Sequence, residues 1–148
     1  MSKICSCFGK SKNINRVGLK ESLFVFYEFL IKKEGFDVFC FGGVGEFDEL
    51  CFDIVQNLKQ EHKNLVTVLM CPKGIDKNAF KNSIKKKYDK YVEVENEFSK
   101  MPYLSRNLNM ANASEFIVFF ASEKGRGNET KVLNFAKDKN IKFVNFYK

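Results

Sequence analysis

The sequence predicts a single α/β domain, doubly wound: a mainly parallel sheet with helices on both faces. Three observations carry this expectation. Apolar runs of strand length alternate with amphipathic stretches of helix length along the chain. The runs beginning at Ile4, Phe36 and Phe116 read as apolar on both faces, which marks buried central strands of a parallel sheet. Glycine-rich loops stand after strands and before helices. At 148 residues the chain has the size of one domain, and such a fold buries about two-thirds of the surface its unfolded chain exposes. Residues 1–148 read as that domain, without internal repeat or low-complexity linker.

The elements follow in order. Ile4 to Phe8 is a first strand, ended by Gly9-Lys10-Ser11 and a polar loop through Asn15. Leu19 to Lys33 is a helix with Leu23, Phe26, Tyr27 and Leu30 on one face, closed by Gly35. Phe36 to Phe41 is a second strand, followed by Gly42-Gly43-Val44-Gly45. The next helix runs from about Glu46 to Gln60 and buries Leu50, Ile54, Val55 and Leu58. Leu65 to Cys71 is a third strand, stopped by Pro72, and a basic, partly helical segment follows. Lys90 to Val94 is a short strand. Pro102 to Ala113 is a helix with proline in its first turn. Glu115 to Ala121 is a strand, Glu129 to Lys139 a helix, and Ile141 to Tyr147 the last strand.

Composition narrows the function classes. Hydrophobic residues make up 45%, with 17 Phe, enough for a core without disulfides or metal. The five cysteines are odd in number and form no C-x-x-C pair. Reduced thiols in a reducing compartment, the cytoplasm, are expected, and no metal or cofactor. The lone His62 is expected at the surface. Met1-Ser2-Lys3 leads straight into an apolar run, unlike a signal peptide. No stretch reaches the ~18 apolar residues of a membrane span. The net charge of +7 favours anionic partners. Much of the excess lies in Lys81, Lys85, Lys86, Lys87 and Lys90. With Tyr88 as its one aromatic residue and no alternation of aromatics with the lysines, this run reads as a solvated helix face rather than a nucleic-acid surface. A homo-oligomer is compatible with the sequence.

In a doubly wound sheet the ligand sits beyond the carboxyl ends of the strands. Three loops are expected there: Gly9 to Asn15, Gly42 to Glu46, and Ser122 to Asn128. In Gly42-Gly43-Val44-Gly45, glycines let the backbone approach a ligand, and the following helix start offers unpaired N–H groups to an anion. The spacing is neither the dinucleotide fingerprint nor a phosphate-binding loop closed by G-K-[ST]. Glu46, Asp48 and Glu49 fall in the first helical turn, where the helix dipole favours ionised carboxylates. One of these carboxylates is available to grip ribose hydroxyls or, if the protein is an enzyme, to serve in acid/base chemistry, with Asp48 and Glu49 the catalytic candidates. Gly125-Arg126-Gly127-Asn128-Glu129-Thr130 repeats the arrangement, with the Thr130 hydroxyl and Arg126 available to a phosphate.

Several stretches together resemble the SLOG superfamily, the Rossmann-like group containing the DNA-processing Smf/DprA proteins and the LOG phosphoribohydrolases, and within it the YpsA-like branch. Phe8-Gly9-Lys10 stands where that branch has T-G-H-R after its first strand. Gly42-Gly43-Val44-Gly45-Glu46-Phe47-Asp48 looks like its G-G-A-x-G-F-D loop. Arg106-Asn107-Leu108-Asn109-Met110 looks like R-N-x-x-M, and Gly127-Asn128-Glu129-Thr130 like the late G-G-T loop. The usual His-Arg is replaced by Lys10-Ser11, and the late loop lacks adjacent glycines. Gly42 to Glu49 also resembles the phosphoribohydrolase P-G-G-x-G-T-x-x-E motif, with Phe41 and Glu46 replacing Pro and Thr. The resemblance implies a nucleotide-like ligand in the cleft, with Arg106 as a phosphate contact and Asn107 beside it.

Three functions compete. The first, with no nucleophile–base pair in the sequence, is binding or sensing of a nucleotide or nucleotide-derived ligand. Its ligand-binding set is Gly9, Lys10, Gly42, Gly43, Gly45, Asp48, Arg106, Asn107, Gly125, Gly127 and Thr130. The second is an N-glycosidic hydrolase of a nucleotide. The third is single-stranded DNA binding, supported only by charge.

Overall fold

The computed structural model describes residues 2–73, 86–95 and 100–148. Six strands and, among the described residues, four helices alternate: β1 (Ile4–Gly9), α1 (Leu19–Lys32), β2 (Val38–Phe41), α2 (Glu46–Lys59), β3 (Val66–Pro72), β4 (Lys90–Val94), α3 (Pro102–Asn112), β5 (Phe116–Phe120), α4 (Asn128–Asp138) and β6 (Lys142–Asn145). The basic segment expected after Pro72, with Lys81 and Lys85, lies outside the described residues.

The strand order is β4-β3-β2-β1-β5-β6, and every neighbouring pair is parallel. Alternation along β1 sends Cys5 and Cys7 to the face covered by α1 and α2, and Phe8 to the face covered by α3 and α4. Each layer is dry. Leu23, Tyr27 and Leu30 of α1 are buried, as are Phe47, Leu50, Ile54, Val55 and Leu58 of α2. Met110 and Ala111 of α3 and Val132, Leu133 and Ala136 of α4 close the other side. The three strands expected to be central are internal, whereas β4 is an edge with four of its five residues exposed.

Two expectations about side chains need comment. All five cysteines are buried and none forms a disulfide. His62 is not at the surface: it is half-buried, and its Nε2 is buried without a partner among the described residues. In the turn after α2 the His62 amide donates to the Leu58 carbonyl and the His62 carbonyl accepts from the Leu65 amide, while Gln60, Glu61, Lys63 and Asn64 are exposed.

The order reverses between β1 and β5. The chain leaves β1 toward α1 on one face and β5 toward α4 on the other, so their loops diverge and open a crevice at the carboxyl edge.

Candidate functional site

The β2–α2 loop is built around one peptide. Asp48, in the first turn of α2, reaches back with both carboxylate oxygens: Oδ1 accepts from the Gly42 amide at 3.0 Å and Oδ2 from the Gly43 amide at 2.9 Å. Cys7 Sγ lies 3.9 Å from Oδ1. The Gly42 and Gly43 amides are therefore consumed within the protein, which corrects the expectation of free amides at those two positions. Gly43 and Gly45 both hold positive φ, 77° and 104°, so the turn itself requires glycine there.

Asp48 also overturns the expectation of a lowered pKa. Burial pushes its carboxyl up from the ordinary 3.8 to about 6, outweighing the Gly42 and Gly43 amides and the Arg106 charge, which pull it down. The carboxylate points away from water into the loop, and desolvation there exceeds the helix-dipole effect.

Arg106 grips the same peptide from the other side. It projects from α3, is only 5% exposed, and its Nη1 donates to the Gly42 carbonyl at 3.0 Å and the Met70 carbonyl at 3.1 Å. Its Nε donates to Asn107 Oδ1 at 2.7 Å. The guanidinium lies flat against Gly42: a Cβ there would sit 2.9 Å from Cζ and Nη2. Only glycine admits this approach. The Tyr103 ring centroid is 5.3 Å from Cζ. Among the described residues Nη2 donates to no acceptor.

The loop after β1 is tied to α2. Ser11 offers its carbonyl to the Glu46 amide at 2.9 Å, and the Glu46 carboxylate accepts from the Asn13 and Ile14 amides at 3.3 and 3.4 Å. Glu46 is thus a loop brace. Thr130, expected to contact a phosphate, is buried, and its hydroxyl donates to the Ser122 carbonyl at 2.6 Å. Gly125 leaves room for that hydroxyl.

These parts enclose a cleft of about 630 Å³ at the carboxyl edge. Of the residues expected at a shared site, Gly9, Gly42, Asp48, Arg106, Asn107 and Gly127 line it. Lys10, Gly43, Gly45, Glu49, Gly125 and Thr130 do not; Glu49 points to solvent, and the Lys10 amide donates to the Phe120 carbonyl at 3.2 Å. The lining also includes Ser11, Val44, Tyr103, Asn128 and Glu129, which sequence reasoning did not select. The available signal was adjacency, since each lies within three residues of a selected position. Among the described residues no group of three or more His, Cys, Asp or Glu could hold a metal ion. The cleft joins a buried cation, a buried carboxylate and an aromatic ring, groups able to hydrogen-bond and stack on a polar ligand.

No protein-family profile matches the sequence, and no curated protein does. Solved structures do match. DNA processing protein A (DprA) from Streptococcus pneumoniae has a TM-score of 0.68 at 10% identity, over 97% of this chain and 50% of that one. The Moco carrier protein from Chlamydomonas reinhardtii has a TM-score of 0.55 at 13% identity, over 98% and 76%. The structural-genomics target TM1055 has a TM-score of 0.51 at 15% identity, over 81% and 61%.

The fold is the Rossmann-like, all-parallel α/β fold shared with these structures. At these identities the likeness shows the fold alone, and the chain spans about half the length of the DprA chain. The parallel sheet places its crevice where the glycine loops and Arg106 converge.

Proposed function

We propose that this SLOG-type domain binds a nucleotide or nucleotide-derived ligand in the carboxyl-edge cleft. The observation that carries the reading is Arg106: a guanidinium 5% exposed, anchored through Nη1 and Nε, with Nη2 left over at the cleft. The guanidinium feels the Asp48 charge across the Gly42–Gly43 peptide but, among the described residues, hydrogen-bonds only neutral oxygens, and a phosphoryl oxygen supplies a direct charged partner. Tyr103 offers a face for a base or sugar at the same wall. The R-N-x-x-M stretch supports the YpsA-like branch, and buried cysteines held as thiols rather than disulfides support a reducing, cytoplasmic setting.

The test is a thermal-shift screen of nucleotides and nucleotide derivatives on the intact chain, because a ligand held only by the folded state raises apparent stability. A shift for at least one phosphorylated nucleoside, abolished in Arg106→Gln, supports the reading. A screen without any shift, repeated by calorimetry, rejects it.

A second reading, N-glycosidic hydrolysis, draws support from one observation. Asp48 borders the cleft with a pKa near 6, a range useful to a general acid, whereas helix-turn carboxylates of ordinary pKa offer none. Steady release of free base from a nucleotide panel, lost in Asp48→Asn, would establish it.

A further inference from the structure

The α4 end of the cleft is filled by the chain's own negative charge. Gly127 caps α4 without a side-chain hydrogen bond, and a helix mouth of that kind attracts anions. Glu129, the second residue of α4, folds back over it: both carboxylate oxygens lie 2.5 Å from the position a Cβ on Gly127 would take. Glu129 is half-buried, lines the cleft, and makes no ion pair or hydrogen bond among the described residues. On the wall formed by α3, the nine-tenths-buried Arg106 presents its unpartnered Nη2 to the same cleft. One wall is therefore cationic and another carries a free carboxylate.

Resting on the nucleotide reading above, we propose that Glu129 is the specificity-determining residue of this cleft: it holds the anion position at α4, so the cleft accepts a ligand whose negative charge is confined to the Arg106 wall and whose hydroxyl groups meet Glu129, and it rejects a pyrophosphate. The reason is electrostatic. A second phosphoryl group approaching α4 meets a carboxylate in a partly desolvated cleft, where like charges repel far more than in water. Displacing that carboxylate forfeits its own stabilisation by the helix mouth. Hydroxyl groups carry no such penalty, and an ionised carboxylate accepts from two of them.

The experiment has two arms, each run on the full chain and on Glu129→Gln. In the first, inorganic pyrophosphate is titrated and read at the backbone amides of Asn128, Glu129 or its replacement, and Thr130 by NMR. The proposal expects binding at these amides at least about tenfold tighter in Glu129→Gln than in the parent; equal binding overturns it. In the second, AMP and ADP are compared by calorimetry. The expectation is that the parent prefers AMP and that Glu129→Gln narrows the ratio at least about tenfold by tightening ADP. A parent that binds ADP as well as AMP overturns the proposal. Absence of both nucleotides from parent and variant instead rejects the nucleotide reading, and the pyrophosphate arm then decides Glu129 alone.

Discussion

At the scale of single residues, the cleft is organised by what Asp48 and Arg106 do to the Gly42 peptide. The amide is held by one side chain and the carbonyl by the other. Asp48→Asn replaces one acceptor oxygen with a donor that opposes a glycine amide, and should cost about 1–3 kcal/mol in denaturant unfolding. The raised pKa of Asp48 has a definite sign. Relative to an unfolded carboxyl near 3.8, the folded protein takes its proton first. The contribution of this group to stability is therefore fully present below about pH 4 and lost as pH rises through about 6. The same event is visible locally: the Gly42 and Gly43 amide resonances should titrate with a midpoint near pH 6 in the parent and not in Asp48→Asn. Midpoints near 4 would show that desolvation does not dominate. For Arg106, Arg106→Gln leaves at least one of the Gly42 and Met70 carbonyls unpaired in a buried setting, an expected loss of about 1–3 kcal/mol alongside the loss of ligand-induced stabilisation.

At the scale of elements, the decisive fact is how the helix starts are used. The mouths of α2 and α4 look equivalent in sequence, each a glycine-rich loop with acids in the first turn. In α2 the acids turn back to brace loops: Asp48 to the glycine turn and Glu46 to the segment after β1. In α4 Glu129 braces nothing, while Thr130 ties the helix to Ser122. Thr130→Val should therefore destabilise the fold by about 1 kcal/mol, since the Ser122 carbonyl loses one of its two donors and keeps the Gly125 amide, and leave ligand affinity nearly unchanged. A loss of affinity without a loss of stability would instead return Thr130 to the ligand-contact role the sequence suggested.

At the scale of the whole molecule, a fully parallel sheet sandwiched by two helix layers buries its central strands on both faces, so tolerance to substitution falls from edge to centre. Phe119, fully buried on β5, should cost about 3–5 kcal/mol when changed to Ala, whereas Val92 on the exposed edge strand β4 should cost less than about 1 kcal/mol. Parallel denaturant melts of the two variants check this. The five thiols are all enclosed by these layers, so their modification by a bulky thiol reagent should proceed at the rate of opening rather than of chemistry, and quicken with denaturant.

The architecture was written in local patterns. Unbroken apolar runs such as Phe116–Phe120, helical stripes such as Leu23, Tyr27 and Leu30, and glycine punctuation are properties of neighbouring residues, and they determined strands, helices, their alternation and the parallel sheet. They also determined that the first, second and late loops would meet at one edge, because parallel strands bring all their carboxyl ends together. What only the tertiary structure decided is which polar atoms remain free there. Asp48 and its glycine amides satisfy one another across the turn. Arg106 reaches Gly42 from 64 residues away. Tyr103 and Glu129 enter the cleft while Thr130 and Gly125 leave it. Hydrogen-bond satisfaction and desolvation depend on groups distant in the chain, and no spacing along the sequence records them.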